Sequence, residues 1–542
     1  MQKELATEKV KRETGLEHVL ASLNILTPYG RKALQGITPF LPGEEEDLRE
    51  VFRRVESMRQ ILGQDASRTG ELKEILMLVK DNSLTIEKSK DSVLSVVELF
   101  ELKILLLQME KLRKMNEIVG FPPEYVPGDC TKLLDILDPD GGRISTFFIY
   151  DSFSEELAEL RRKKKDTEKQ GRRIQKESAA ALKKEHGIVL TPKFEIRVNK
   201  GETDRLALLE SIPELEKAAE DYMSVTWKLA SNEEGDRLIR EAEELAEQIE
   251  REEYKVQRTL TAHVAGHAKI LEDAVRRIGQ LDLAIAKAEY GEKKNCITPE
   301  IVTEHILAFE DGRQLQVEEI LHKSGGSYCP ISLELADGVS CITGANMGGK
   351  TVSLKLAGMV MLMAQYGLQV PCRTARIGLS TTVRILIGDS QSIERGLSSF
   401  GSEMEELKKM LEDSGQRAML LIDEIAGGTN PSEGLALTRS IIDHLKDREY
   451  ITLMTTHFEL AGTEEDVVNL QVTGLADADF SEIARQLEMA DEKGRIDVIR
   501  RHMDYRLRRM EGRGDVPRDA LHIAQMLGIG NDIIDRAKAY LR

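Results

Sequence analysis

The sequence GANMGGKT occupies residues 344–351, between the apolar run GVSCIT at 338–343 and the apolar stretch VSLKLAGMVML at 352–362. It fits the pattern G-x-x-x-x-G-K-[S/T], in which small residues let backbone N–H groups close around phosphate oxygens. The run before it is typical of a buried strand, and the stretch after it repeats apolar residues at helical spacing. A helix that begins here adds partial positive charge to the loop. The pattern predicts a phosphate-binding loop; the alternative is a chance glycine turn before a helix.

The two side chains at the end of this loop have separate expected roles. Lys350 would reach the β- and γ-phosphates, and the hydroxyl of Thr351 would sit on Mg²⁺. The loop residues expected to surround the phosphates with their backbone are Gly344, Ala345, Met347, Gly348 and Gly349. ATP and Mg²⁺ are therefore the predicted ligands.

Two further apolar runs end in residues that suit the same chemistry. MLLIDE at 419–424 predicts a buried strand that delivers two carboxylates at its end. Asp423 would support the metal through its water shell, and Glu424 would orient or deprotonate the attacking water. ITLMTT, which ends at Thr456, would place His457 where it can sense a γ-phosphate. A lone histidine at the end of a strand is the alternative, but the order of the motifs favours the functional interpretation.

The segment LSSFGSEMEELKKML at 397–411 predicts a helix with Glu403 in its first turn. Ser398 or Ser399 could cap its N-terminus. In a two-nucleotide dimer of the ABC type, a serine and a helix start at this place face the partner's γ-phosphate. A simple N-cap is the alternative, and the two interpretations are compatible.

Composition limits the class of protein. The 542 residues include 76 basic and 94 acidic residues, which gives a net charge of −18, and only 4% are aromatic. At this length we expect about two to four domains. A composition rich in Glu, Lys, Leu and Ala favours long exposed helices joined to one compact domain. The acidic balance does not favour a general nucleic-acid binder, although a local basic patch can serve as one.

The five cysteines are scattered and include no C-x-x-C pair. This disfavours both metal ligation and a disulfide framework, and it favours a reducing compartment. The N-terminus is charged, and no segment has the run of apolar residues that a membrane helix needs. We therefore expect a cytoplasmic protein without a membrane span.

The N-terminal half is dominated by helical patterns. Residues 1–125 repeat apolar residues at helical spacing, with breaks at Pro and Gly. Residues 153–187 and 213–290 are two long, highly charged stretches that we interpret as helices. Residues 188–202 between them alternate like a strand pair around a turn. Together they predict an arm of two long helices with a small β element at its tip.

The C-terminal half has a different pattern. From about residue 295 to residue 500, short apolar strands alternate with helices, which indicates an α/β domain. The last stretch, from residue 504 onward, predicts a strand and two short helices. The predicted fold is therefore multidomain: an all-α core with long helices, then an α/β P-loop domain of the ABC type, then a C-terminal helix pair.

The first long helix carries a basic run at residues 161–173. Such a run can contact a nucleic-acid backbone. The favoured alternative is a solvated helix face, because acidic residues are interleaved with the basic ones. The basic residues are Arg161, Arg162, Lys163, Lys164, Lys165, Lys169, Arg172 and Arg173.

These motifs, taken together, resemble a known family. GANMGGKT, SSFGSEM, LLIDEIAGGTNPSEGLAL and TTHFE are similar to the ATPase domain of the MutS family of DNA mismatch-repair and recombination-control proteins. The resemblance covers roughly residues 300–542. It implies a division into a helical core layer (1–146), lever helices with a small β tip (147–294), a P-loop ATPase domain (295–500) and a C-terminal helix-turn-helix for dimerisation (501–542).

The resemblance also implies roles for residues outside the motifs. Asn346 would join the phosphate cradle, and Gln391 would help to place the metal or the water. Tyr328 is a candidate for stacking on adenine, with ordinary core packing as the alternative. The loop 427–429 would cross to the partner subunit of a homodimer, where Ser398 or Ser399 would act in trans. Ala345 stands where the family usually has Pro.

Two targets remain open at this point. The chain is most similar to the branch linked to recombination suppression, and we expect a short form without a mismatch-reading domain and without a nuclease tail. One hypothesis is an ATP-driven protein that acts on mismatched or branched DNA. The alternative is an ATP-dependent reactivase of an adenosylcobalamin-dependent lysine aminomutase, a metabolic enzyme partner, without DNA binding.

Overall fold

A computed structural model of the protein describes residues 4–230, 232–344, 349–388, 399–412, 414–458, 466–475, 483, 485–487, 498, 502–510, 519–526 and 529–540. The chain forms two compact units. Unit 1 comprises Met1–Leu76, Val119–Val126 and Arg277–Arg542, and unit 2 comprises Met77–Ile118 and Pro127–Arg276. The multidomain organisation is confirmed, whereas the division into four functional segments stays a prediction.

The elements are numbered along the chain. The helices are α1 (Glu8–Thr14), α2 (Leu16–Ala21), α3 (Pro28–Gln35), α4 (Glu45–Gln64), α5 (Ala66–Met77), α6 (Ser83–Lys88), α7 (Val96–Val119), α8 (Thr131–Leu137), α9 (Glu155–His186), α10 (Thr203–Glu210), α11 (Glu233–Gly266), α12 (Ala268–Lys293), α13 (Leu315–Lys323), α14 (Lys350–Gln365), α15 (Ser399–Glu412) and α16 (Pro431–Leu445), followed by Asp519–Met526 and Asn531–Tyr540. The strands are β1 (Glu195–Asn199), β2 (Leu215–Glu220), β3 (Ser224–Leu229), β4 (Glu300–Val302), β5 (Ile306–Gly312), β6 (Ile331–Ala336), β7 (Gly338–Thr343), β8 (Thr374–Gly378), β9 (Thr382–Leu386), β10 (Ala418–Ile422), β11 (Tyr450–Thr455), β12 (Val468–Gly474) and β13 (Asp504–Arg509). Short 3-10 helices lie at Pro123–Tyr125 and Asp151–Phe153.

Unit 1 contains two sheets in its described part. The larger has the strand order β13-β12-β7-β11-β10-β9, and the smaller has the order β4-β8-β5-β6. In the larger sheet the neighbours from β12 to β9 are parallel, and only β13 pairs antiparallel, with β12. The strands expected from the sequence at CIT, VRILIG, AMLLID and YITLMTT are β7, β9, β10 and β11, so the α/β architecture is confirmed.

Strand β10 lies between two hydrophobic cores and contributes side chains to both. All five of its residues are buried. Met419 and Leu421 pack into a core that includes apolar residues of α14, and the alternate residues pack into a core shared with α15 and α16. Because successive side chains of a strand point to opposite faces, a strand with helices on both sides must be apolar throughout. This burial fixes the end of β10, where the two acids follow.

Unit 2 contains the two long helices α9 and α11, which pack along each other, and a small α/β element between them in sequence. That element is the antiparallel sheet β1-β3-β2 together with α10. Its core residues are Leu182, Ile188, Ile196, Val198, Leu209, Ile212, Leu215, Val225 and Trp227. The predicted β element near residues 188–202 is therefore real, although it is larger than the sequence indicated.

The prediction of one helical stretch over 213–290 was wrong in its first part. Residues 215–220 and 224–229 are the strands β2 and β3, and helix begins only at Glu233. Asp221 closes the turn between the two strands, because its Oδ1 accepts the N–H groups of Met223 and Ser224 at 2.8 and 2.7 Å. LEKAAE has the composition of a helix, but it forms an edge strand because burial of Leu215 and pairing with β3 override local propensity.

No helix in the described ranges has both the length and the apolar character required to cross a bilayer.

A buried ion pair lies inside unit 2. Lys103 of α7 has a fully buried side chain, and its Nζ donates to Asp138 Oδ1 at 2.8 Å and to the carbonyl of Thr146 at 2.8 Å. Burial raises the pKa of Asp138, but the Lys103 ammonium and the backbone N–H of Arg143 outweigh it and hold that pKa below its ordinary value. Each of the two buried charges is therefore balanced by the other, and removal of one partner would leave the other poorly compensated.

We expect Lys103→Met to lower the free energy of unfolding by about 3 kcal/mol, because the Asp138 carboxylate loses its buried counter-charge and keeps only the longer contact with the Arg143 guanidinium at 3.4 Å. Urea unfolding at pH 7 measures the loss. Lys111→Met, which changes an exposed lysine of the same helix, is the matched control and should be near neutral. Because the folded-state pKa of Asp138 is lowered, the wild-type advantage is present above the pKa of the unfolded state and should shrink as the pH falls below it. Equal midpoints for both variants would contradict a stabilising role for the pair.

Candidate functional site

The strand and the helix that flank the GANMGGKT loop are β7 and α14, as the sequence predicts. Gly344 has φ +134° and Gly349, the N-cap of α14, has φ +76°. A Cβ on Gly349 would lie 3.1 Å from Cδ1 of Tyr505, and one on Gly344 would lie 3.3 Å from Cβ of Val472. Both positions therefore require glycine, for the backbone conformation and for the close packing.

The parallel sheet brings the predicted residues to one edge. Because β7, β11 and β10 are neighbours and run parallel, their carboxyl ends meet at the same side of the sheet. The loop from Gly344 follows β7, Asp423 and Glu424 follow β10, and Thr456 and His457 follow β11. The edge of a parallel sheet is where such folds bind ligands.

Asp423 is buried and both of its carboxylate oxygens are hydrogen-bonded. The hydroxyl of Thr351 donates to Oδ2 at 2.7 Å, and the hydroxyl of Thr455 donates to Oδ1 at 2.5 Å. The Thr455 hydroxyl also accepts the backbone N–H of Glu424 at 3.0 Å. One threonine of β11 thus positions both acids at the end of β10.

Lys350 lies at the centre of a small charged cluster. Its side chain is 3% exposed, and its Nζ donates to the carbonyl of Gly344 at 3.0 Å. The same Nζ lies 3.2 Å from Oε1 of Glu424 and 3.1 Å from Nδ1 of His457. Nε2 of His457 lies 2.7 Å from Oε2 of Glu424. A neutral imidazole with its hydrogen on Nε2 satisfies both contacts, so each oxygen of Glu424 has a partner.

The same residues suit a nucleotide with its magnesium ion. The hydroxyl of Thr351 and the carboxylate of Asp423 are in contact, and hydroxyl and carboxylate oxygens are ligands that Mg²⁺ accepts. The described residues contain no group of three or more His, Cys, Asp or Glu side chains that could hold a metal by themselves. That is compatible with Mg²⁺, which usually keeps waters and takes its other ligands from phosphates.

Several predicted residues lie outside the described residues. They are Ala345, Asn346, Met347, Gly348, Gln391 and Ser398. Ser399 is the first residue of α15, so the predicted helix begins where the sequence placed it. The roles of all these residues stay predictions.

Tyr328 lies just before β6 and is half-buried. Its hydroxyl oxygen is enclosed. Burial raises the pKa of this hydroxyl to about 12. Its predicted stacking on adenine is not tested by this placement.

Two residues at the site were missed by the sequence analysis. The sequence places Thr455 only near the end of an apolar strand, and Tyr505 only within the strand near the C-terminus. The ring of Tyr505 packs against Gly349 although the two are far apart in the chain. The alternation of the last strand could have indicated an inward-facing Tyr505, but its contact with the loop depends on the strand order.

Arg161 pairs with Asp151 and Glu253, and Arg162 is exposed. The rest of the basic run on α9, with Lys176 after it, separates into two sets of residues. Lys163, Lys164 and Arg173 pair with glutamates one turn away on the same helix. Across the described residues, a second set on one face of α9 is exposed and has no ion-pair partner within 4 Å: Lys165, Lys169, Arg172 and Lys176. Their spacing of four, three and four residues places them along about 16 Å of the helix axis.

Comparison with known proteins points to one family. Residues 340–542 match the family model described as MutS domain V. The chain is 33% identical over 305 residues to an Endonuclease MutS2 of Symbiobacterium thermophilum, an alignment that covers 55% of this chain and 34% of that protein. It is 32% identical over 315 residues to one of Pelotomaculum thermopropionicum (56% and 36%) and 35% identical over 246 residues to one of Agathobacter rectalis (44% and 30%). The chain thus spans about a third of the length of the curated relatives it matches.

Two buried threonines of β11, Thr455 and Thr452, allow a matched test of the hydrogen bond to Asp423. Thr455→Val should lower the free energy of unfolding by about 1–3 kcal/mol, because it removes the donor to the buried Asp423 carboxylate. Thr452 is equally buried, but its hydroxyl has no partner in the described part of the chain, so Thr452→Val should be neutral or stabilising. Chemical denaturation of the two variants measures the difference. If both substitutions cost the same, Thr455 does not act through its hydrogen bonds.

Proposed function

Because the chain belongs to the MutS family, we propose that it binds and hydrolyses ATP and uses the nucleotide cycle to act on DNA. The observation that carries the proposal is the meeting of Thr351, Lys350, Asp423, Glu424 and His457 at one edge of the parallel sheet. These residue types supply a cation for phosphate, a ligand pair for Mg²⁺ and a base for water. No other cluster in the described residues combines them.

In this proposal Lys350 exchanges partners when nucleotide binds. In the structure, Glu424 supplies a counter-charge to its ammonium. A β- or γ-phosphate oxygen brings the same negative charge to the same place, so Lys350 can leave Glu424 without being buried unpaired. Mg²⁺ bound beside Thr351 and Asp423 would supply positive charge to the phosphate oxygens. The start of α14 adds the partial charge of a helix N-terminus.

Release from Lys350 gives Glu424 its catalytic role. Its carboxylate can then accept a hydrogen bond from water and, as the water attacks the γ-phosphorus, take its proton. His457, which contacts both Lys350 and Glu424, is placed to respond to the γ-phosphate. Hydrolysis removes that phosphate, and Glu424 can contact Lys350 and His457 again.

We further propose a homodimer with two composite sites. The residues before α15, including Ser398, and the loop 427–429 would close on the nucleotide of the partner subunit. The helix dipole of α15 supports the serine segment as a phosphate-facing element. Closure of the dimer on ATP and opening after hydrolysis would then be the work-producing step.

DNA is the target that we favour. The similar proteins are named endonucleases of the MutS2 type, and unit 2 has a cationic face on α9. That face is available to phosphates, because its four cations make no ion pairs within the described part of the chain. The comparisons give no support to the alternative of an aminomutase reactivase.

We expect Glu424→Gln to keep nucleotide binding and to slow hydrolysis by about 100-fold or more, because the amide cannot accept the proton of water. Its affinity for ATP should rise, since the neutral amide no longer carries the charge that competes with phosphate for Lys350. Single-turnover hydrolysis and titration with a fluorescent ATP analogue measure the two effects.

The surface variant Glu412→Gln, at the end of α15, is the control and should match the wild type in both assays. Hydrolysis by Glu424→Gln at the wild-type rate would contradict the role of Glu424. A wild-type protein that neither binds nor hydrolyses ATP would contradict the proposed function.

For DNA, we expect the triple variant Lys165→Ala, Lys169→Ala, Arg172→Ala to bind branched duplex at least about ten-fold more weakly at low salt. The slope of log affinity against log salt should fall by about 2–3, since each phosphate contact contributes close to one. The control is the triple variant Lys163→Ala, Lys164→Ala, Arg173→Ala, which removes the same charge from residues that are paired within the helix.

A gel shift with the full chain over a series of salt concentrations gives both quantities. Equal loss in the two triple variants would show that only net charge matters. Wild-type binding weaker than about 10⁻⁴ M would reject DNA as the target.

A further inference from the structure

Helix α15 makes a specific contact with the loop that carries Glu424. Glu403 lies in the first turns of this helix and is half-buried. Its Oε1 accepts the backbone N–H of Ala426 at 3.0 Å. Burial raises the pKa of the Glu403 carboxyl, and the N–H of Ala426 opposes that rise. The Glu403 carboxyl group is therefore poorly solvated, and the hydrogen bond described for it comes from the backbone N–H of Ala426.

The loop it contacts has an unusual backbone. Glu424 has φ +47° and Ala426 has φ +61°, both in the left-handed region that residues with a Cβ rarely adopt. Such conformations cost free energy and persist only where the surroundings enforce them. The two unfavourable residues lie on either side of Ile425, and the first of them, Glu424, is itself the second of the two acids that follow β10.

The loop is held at its start and from its far side. The N–H of Glu424 donates to the carbonyl and to the hydroxyl of Thr455, at 3.1 and 3.0 Å. The carbonyl of Ala426 lies against Gly434 of α16, where an added Cβ would come within 2.8 Å of it. Between these points, the Glu403 carboxylate holds the amide of the second left-handed residue.

We propose that Glu403 is a positioning residue for hydrolysis, and that it couples α15 to the orientation of Glu424. This inference rests on the proposed function. Glu403 touches neither nucleotide nor water; it fixes the turn that determines where the Glu424 carboxylate points. Because Glu403 belongs to α15, a shift of that helix is carried by Glu403 to Ala426 and from there to Glu424. Hydrolysis would then require that α15 is positioned so that Glu403 contacts the N–H of Ala426.

The test compares Glu403→Ala with Glu403→Gln. The alanine variant lacks the acceptor, and kcat for ATP should fall about ten-fold while KM stays within about two-fold. The glutamine variant keeps an oxygen at Oε1 and should restore most of kcat. Glu405→Ala, on the exposed side of the same helix, is the control and should match the wild type.

Amide hydrogen exchange gives a second readout that does not depend on hydrolysis. The N–H of Ala426 should exchange faster in Glu403→Ala than in the wild type, and Glu403→Gln should preserve its protection. If wild type hydrolyses ATP and Glu403→Ala has the same kcat, or if exchange at Ala426 is unchanged, the coupling through Glu403 is rejected and the ATPase proposal stands. If the wild type has no ATPase activity, the proposed function itself fails.

Discussion

The site depends on one buried carboxylate. Asp423 follows β10, receives the hydroxyl of Thr351 from α14 and receives that of Thr455 from β11, while its own N–H donates to the carbonyl of Leu386 at the end of β9. A buried carboxylate without partners would be costly, so its two oxygens require both hydroxyls. This requirement fixes the helix that starts at Lys350 against two strands. The loop that follows β7 is thereby attached to the two acids that follow β10.

A second constraint is the balance of charge around Lys350. An ammonium that is 3% exposed needs a counter-charge in every state of the protein. In the structure Glu424 provides it, with His457 in contact with both. Under the proposed function, an anionic ligand that contacts Lys350 would take over this balance and release Glu424.

The sequence predicted the elements of the site better than it predicted the contacts between them. Apolar runs of five or six residues are enough to locate β7, β10 and β11, and the G-x-x-x-x-G-K-T pattern locates the start of α14. Thr455, Tyr505 and Glu403 could not be assigned, because their contacts join residues that only the order of strands and the seating of α15 bring together. The error at 215–229 has the opposite cause: LEKAAE has a helical composition, and its burial against β3 is visible only in three dimensions.

The N-terminal segment, with helix α1, shows why residues 1–76 belong to the same compact unit as the candidate site. The carbonyl of Leu5 accepts the N–H of Val383 on β9 at 2.7 Å, Glu13 pairs with Lys355 of α14 at 3.0 Å, and Lys9 pairs with Glu406 of α15. Partly exposed ion pairs of this kind contribute at most about 1 kcal/mol each. Burial of a leucine or valine contributes about 1.5–3 kcal/mol, so the buried Leu5 and Val10 provide most of the attachment and the ion pairs set its register. Helices α14 and α15 are therefore tied to a common element, and a movement of either relative to the other must be accommodated by α1.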